Sequence, residues 1–174
     1  PISTTGLSGG SSTPNGVAWD SGNNRMYYAS YGSAPGQLWF YDFTSSTNVD
    51  ADLALGGSVQ GRVSCGTFYQ GAYYYIPVGT ANLHRVNLAS DGTATSEQNL
   101  GPITAGTGLT ENFQWGDIAF ASDGTLYGHG LSGGNQKFFK VSFDISTDGL
   151  SGYTIIIPSD NLSLQLAFGS DNIL

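Results

Sequence analysis

Internal repetition constrains this sequence more than any other feature. Four segments share one pattern, a small residue, an aromatic and then a turn: GVAWDSGNNRMYY from Gly16, GTFYQGAYYY from Gly66, DIAFASDGTLYG from Asp117 and LAFGSDNIL from Leu166. Their aromatics Trp19, Phe68, Phe120 and Phe168 recur at intervals of about 50 positions, a period that makes the chain a series of similar units burying apolar faces on one another.

Each unit reads as strand, turn, strand. The first strand runs into Asp20-Ser21-Gly22-Asn23-Asn24, Gln70-Gly71 or Ser122-Asp123-Gly124, and a second aromatic-rich strand follows. Asn and Gly tolerate the positive φ of tight hairpins, so these are antiparallel pairs. A third strand aligns without gaps as LWFYDF from Leu38, LHRVNL from Leu83 and FFKVSF from Phe138. Alternation places Trp39/His84/Phe139, Tyr41/Val86/Val141 and Phe43/Leu88/Phe143 on one face, expected to be buried between units. Phe40/Arg85/Lys140 and Asp42/Asn87/Ser142 form the more polar face. A looser fourth strand is expected at Leu53-Ala54-Leu55, Glu97 to Leu100 and Tyr153 to Ile157, since an outermost strand tolerates drift.

Composition agrees. With 26 glycines, 39% hydrophobic residues and only 10% charged ones, the chain carries much Gly, Ser, Thr and Asn, which favour turns and extended backbone over helix interiors. Its formal net charge of −8 opposes binding to nucleic-acid phosphates or anionic lipid surfaces. No apolar run approaches the ~20 residues of a membrane span, and PISTTGLSGG at the start lacks the basic and apolar regions of a signal peptide. Cys65 is the single cysteine, which excludes an internal disulfide framework and any multi-cysteine metal site.

Short four-stranded repeats of this length resemble the blades of a β-propeller. Gly16-Val17-Ala18-Trp19-Asp20 followed by Arg25-Met26-Tyr27-Tyr28 is similar to the blade openings of NHL-type, gluconolactonase-like and low-density-lipoprotein-receptor-type propellers. The signatures of Trp-Asp and Kelch repeats are not met, and the subfamily is unassigned. The expected fold is all-β: three full four-stranded repeats plus the start of a fourth, an incomplete ring. The expected boundaries are 1–14 for the outer strand of a preceding or closing blade, 15–56 for blade 1, 57–101 for blade 2, 102–158 for blade 3 and 159–174 for the start of blade 4. Both ends then fall in mid-blade. A four-bladed ring closed by the two ends lacks one strand in its last blade. A segment of a six- to eight-bladed ring, completed by further residues or a second copy, is the preferred expectation.

Candidate sites are few. His84 shares the interior column of Trp39 and Phe139 and reads as a packed histidine. His129 sits between Gly128 and Gly130, where glycines let a ligand approach the backbone, although filling a loop is the preferred reading. Asp117 opens an innermost strand. The resemblance to gluconolactonase-like enzymes implies carboxylates converging on a divalent metal at that level, but only one of the four aligned positions is acidic. No cofactor or metal site is therefore assigned, and a divalent cation would have to sit near Asp117. Asp91-Gly92, Asp123-Gly124, Asp148-Gly149 and Asp171-Asn172 read as hairpin turns. Gly6 to Gly10 and the identical Gly130 to Gly134 lack the Gly-Lys-Ser/Thr of a phosphate cradle. Asn161-Leu162-Ser163 is a glycosylation triplet, consistent with an extracellular or cell-surface location. Tyr27, Tyr28, Tyr31, Tyr73, Tyr74, Tyr75 and Trp115 exceed what three small sheets need, and those at loop tips suit sugar rings or protein partners. Trp115 and Tyr31 are the first candidates, ahead of Asp117 and His129.

The expected role is a non-catalytic structural or adhesive module that binds protein or glycan and self-associates through open blade edges. The alternatives are a metal-dependent lactonase or hydrolase using Asp117 and His129, and a carbohydrate-binding lectin propeller.

Overall fold

The computed structural model describes residues 14–30, 38–56, 62–157 and 166. The fourth repeat, apart from Leu166, and the expected strand over 1–14, apart from Pro14, lie outside that set. Twelve strands form three four-stranded antiparallel sheets, each meandering in chain order. Blade 1 holds β1 (Pro14–Asp20), β2 (Arg25–Ser30), β3 (Leu38–Asp42) and β4 (Thr47–Asp50). Blade 2 holds β5 (Val63–Tyr69), β6 (Ala72–Pro77), β7 (Asn82–Leu88) and β8 (Ala94–Pro102). Blade 3 holds β9 (Gly116–Phe120), β10 (Thr125–Ser132), β11 (Asn135–Asp144) and β12 (Gly149–Ile157). The first strands β1, β5 and β9 lie side by side, so the sheets stack face to face as consecutive propeller blades. Among the described residues no helix is long and apolar enough to cross a membrane.

Turn chemistry sets the strand order. Gln70 and Gly71 both take positive φ, 45° and 81°, as do Gly133 and Gly134 at 60° and 78°; each pair closes a two-residue hairpin whose twist matches its strands. Elsewhere a carboxylate organises the turn. Asp20 Oδ1 accepts the amides of Gly22 and Asn23, and Asp91 accepts both the amide and the hydroxyl of Thr93. Such bonds hold the carboxyls of Asp42, Asp91, Asp123 and Asp144 below the ordinary range.

Two apolar layers join the three blades. Between blades 1 and 2 lie Tyr27, Ala29, Leu38, Phe40, Val63, Tyr73, Tyr75 and Val86. Between blades 2 and 3 lie Tyr74, Ile76, Leu83, Ile118, Phe120, Leu126, Phe139, Val141 and Phe143. The middle blade is covered on both faces, which is why Ala72–Pro77 is buried at every position. Polar bridges cross the same gaps. The Arg25 guanidinium donates to the Ser90 carbonyl of blade 2 at 3.0 Å, and Arg85 of blade 2 pairs with Asp148 of blade 3.

Three expectations are corrected. The fourth strand of blade 1 is Thr47–Asp50; Leu53–Leu55 instead forms a 3-10 turn ended by Gly56 at φ 67°. The third-strand columns keep their faces, but in blade 1 the buried side is Leu38 and Phe40, while Trp39 and Tyr41 are only half-buried. The reason is which neighbour each face meets. Phe40 looks toward blade 2, and Trp39 looks away from it. Finally, Tyr27, Tyr28, Tyr73, Tyr74 and Tyr75 are buried, so these rings serve packing rather than a surface.

Candidate functional site

The loop entering blade 3 and the first hairpin of that blade gather most of the candidate residues. The loop is braced before it reaches β9. Phe113 bridges Thr80 of blade 2, and the Asn112 amide donates to Ser132 Oγ at 2.9 Å. The Gln114 amide donates to the Leu131 carbonyl and the Leu131 amide to the Trp115 carbonyl, each at 3.0 Å. Beneath the loop, Lys137 Nζ donates to both carboxylate oxygens of Glu111, at 2.8 and 2.6 Å, and Tyr153 adds its hydroxyl. Glu111 is 6% exposed. Burial and the adjoining carboxylate push the Tyr153 hydroxyl well above its ordinary range.

On this support Trp115 is 52% exposed and Leu109 51% exposed. One residue into β9, Asp117 stands directly opposite His129 in the β9–β10 register, so their side chains share a face as near neighbours. Asp117 Oδ1 accepts the Ile118 amide, and Oδ2 accepts the Leu166 amide at 2.7 Å. Desolvation nevertheless dominates and raises its carboxyl from 3.8 to about 6. The sequence separates these residues; the hairpin register brings them together.

His129 belongs to β10 rather than to a loop, and it is buried. Its flanking glycines have a structural cause. A Cβ at Gly128 would overlap the Phe139 ring, and one at Gly130 would overlap the ring of Phe113, so aromatic rings rather than a ligand occupy the space against the backbone. Tyr31 and Asn161 lie outside the described residues. His84 is buried, with Nδ1 2.5 Å from Glu97 Oε1, and Tyr75 donates to the same oxygen at 2.8 Å. This network faces blade 1. Cys65 is buried, and the lost solvation, with Asp117 nearby, pushes its thiol far above the ordinary range, which removes the thiolate a nucleophile needs. Among the described residues no group of three or more His, Cys, Asp or Glu side chains is placed to hold a metal ion.

Glu111, Lys137 and Tyr153 escape a sequence reading because they come from a loop and two strands of one blade, with no spacing signature. The exposed Trp115 was visible as an aromatic in a Gly- and Asn-containing loop.

No protein-family model matches the chain, and no curated protein matches it in sequence. Among solved structures it is similar to an auxiliary nutrient binding protein from Bacteroides thetaiotaomicron, with a TM-score of 0.63 at 12% identity, over 90% of this chain and 35% of that one. It also aligns with the extracellular domain of a hybrid two-component system protein from the same organism, at TM-score 0.49 and 9% identity, over 90% of this chain and 18% of that one. An aldose sugar dehydrogenase from Streptomyces coelicolor, in its PQQ-bound form, aligns at TM-score 0.48 and 14% identity, over 75% of this chain and 43% of that one. Only the first is similar enough to bear on architecture. The chain spans about a third of that protein's length. At these identities the likeness concerns the fold alone, which here is the stacked blades of a propeller.

Proposed function

We propose that this chain is a non-catalytic β-propeller module, extracellular or at a cell surface, that binds protein or glycan and works within a larger assembly. The observation that carries the reading is Trp115. Its ring is half exposed on a loop held by backbone hydrogen bonds to the opposing strand. An exposed aromatic on a braced loop suits the apolar face of a sugar, and it equally suits an interface anchor, because a braced loop has less ordering entropy to lose on binding. A binding role is compatible with the nutrient binding protein that shares the fold. The glycan arm is tested on a glycan array with the intact chain and with Trp115→Ala. The expected result is a bound glycan class that the variant loses while keeping its fold. Binding unchanged by Trp115→Ala would remove that residue from the site.

One observation favours a second reading, a metal-dependent lactonase or hydrolase. Asp117 combines a raised carboxyl with an imidazole directly across the hairpin, and perturbed titrating pairs cluster at catalytic sites. Lactone hydrolysis in the presence of calcium or zinc that Asp117→Asn abolishes would favour it over the binding reading.

A further inference from the structure

Blades 2 and 3 use one set of positions to meet the blade before them. In blade 2 that face is Phe68, Tyr73, Tyr75, His84 and Val86; in blade 3 it is Ile118, Phe120, Leu126, Phe139 and Val141. All lie at the two inter-blade layers, and Tyr73, Tyr75 and Val86 are 0% exposed. The same positions in blade 1 are Val17, Trp19, Tyr28, Trp39, Tyr41 and Phe43. Here strand alternation is identical, because Trp19 pairs with Met26, and Met26 with Tyr41. Exposure differs. Val17 is 51% and Trp19 49% exposed. The rings are already arranged as a layer: Trp19 meets Phe43 edge-on at 5.4 Å between centroids, and Tyr41 meets Phe43 at 4.8 Å.

A sheet face this aromatic, at positions that are buried or half-buried against a neighbouring blade in blades 2 and 3, has the chemistry of half an inter-blade layer. What fits it follows from the two layers present. Each is blade against blade, apolar at the centre, with a basic side chain at the edge reaching the turn between the third and fourth strands of the next blade: Arg25 to Ser90, and Arg85 to Asp148. Blade 1 offers the equivalent turn over Phe43 to Thr47, closed by bonds from the Thr44 and Ser45 amides to Asp42. Lys140, in the Arg85 column on the far face of blade 3, is exposed.

We propose that this face of blade 1 is an interface for a second copy of the chain, seated blade against blade and centred on Val17, Trp19, Tyr41 and Phe43. The surface differs from the open strand edges that suggest self-association in the sequence, and it is independent of Trp115 and of any ligand, so failure of the binding reading leaves it standing. A C2 pair buries the face on itself, and a head-to-tail arrangement buries it on another blade.

Sedimentation velocity on the intact 174-residue chain, over a hundredfold range of concentration, tests the proposal. Reversible association is expected, weakened at least tenfold by Trp19→Lys and, separately, by Val17→Lys. Both side chains are half exposed, so each variant should keep the far-ultraviolet spectrum and melting temperature of the parent; two variants guard against one misfolding. Ile156→Lys, on the outer strand of blade 3, should associate as the parent does. A monomer at every concentration would mean that the face is covered within the chain and would overturn the proposal. So would association that survives both substitutions, or that is abolished only by Asn48→Pro in the outer strand of blade 1, which would assign it to edge pairing.

Discussion

The Tyr73 hydroxyl donates to the Gly16 carbonyl at 2.7 Å, a buried hydrogen bond that ties the second strand of blade 2 to the first strand of blade 1. Two glycines make it possible. Gly16 takes φ +58°, and a Cβ at Gly66 would overlap the Tyr73 hydroxyl and lie 2.7 Å from the Gly16 oxygen. Tyr73→Phe should therefore cost about 1–2 kcal/mol, since it leaves a buried carbonyl without its donor. Gly66→Ala should cost more, about 2–3 kcal/mol, because backbone rather than a flexible side chain must yield. Urea unfolding with an unchanged m-value is the measurement; equal stability of Tyr73→Phe and parent would show that water replaces the hydroxyl.

Beneath the Trp115 loop, Glu111 depends on Lys137. The carboxylate is 3% exposed at its side chain and the ammonium 20%, so the pair is asymmetric. Lys137→Met should destabilise the chain by about 3 kcal/mol, because it strands a buried charge. Lys137→Met combined with Glu111→Gln should recover much of that loss. A single variant no worse than the double would refute the stranded-charge account, and the comparison also reports whether the loop must be braced for ligand binding.

Arg85 and Asp148 join blade 2 to blade 3 at a partly exposed site, with side chains 17% and 24% accessible. Arg85 also donates to Gln98. A double-mutant cycle with Arg85→Ala and Asp148→Ala should give a coupling of about 0.5–1 kcal/mol that shrinks in 1 M salt. A coupling insensitive to salt would mean that packing of the Arg85 stem, rather than charge, joins the blades.

Local features were legible in the sequence, and neighbour-dependent ones were not. Hairpins at Gln70-Gly71 and Ser122-Asp123-Gly124 follow from backbone chemistry within a few residues, and the third-strand columns follow from period-two alternation; both hold in the structure. Alternation assigns a side chain to a face but not to an interior. Trp39 and Phe40 are equally apolar, and only the blade packed on one side decides that Phe40 is buried. The same holds for Tyr73, Tyr74 and Tyr75, which point alternately into two layers. Leu53–Leu55 looked like a strand because its apolar residues alternate with alanine, yet the outer strand had already formed at Thr47–Asp50. In the candidate site, Trp115 announces itself by residue type, while the Asp117–His129 pairing depends on strand register and the Glu111–Lys137 pair on the path of a loop.

Asp117 gives the chain a pH dependence of definite sign. Its carboxyl titrates near 6 in the folded protein against 3.8 in the reference state, so between those values the folded state holds a proton that the unfolded state has released. Below about pH 4 the group is neutral in both states and costs nothing. Stability should then fall as pH rises from about 4 to 6, and stay lowered above that, where a desolvated carboxylate is carried in full. Asp117→Asn cannot ionise; its one oxygen keeps an acceptor for either the Ile118 or the Leu166 amide, and its NH2 faces the other. The stability of the variant relative to the parent should rise by about 1–2 kcal/mol between pH 4 and pH 7.5, a figure reduced for the solvent that still reaches the group. The turn carboxylates Asp42, Asp91, Asp123 and Asp144 have lowered values and contribute the opposite slope in acid, so the difference between variant and parent, rather than the parent curve, isolates Asp117. Chemical denaturation at half-unit steps from pH 4 to 8 provides it. A constant difference across that range would mean that the substitution acts through packing, and that Asp117 does not titrate where its burial places it.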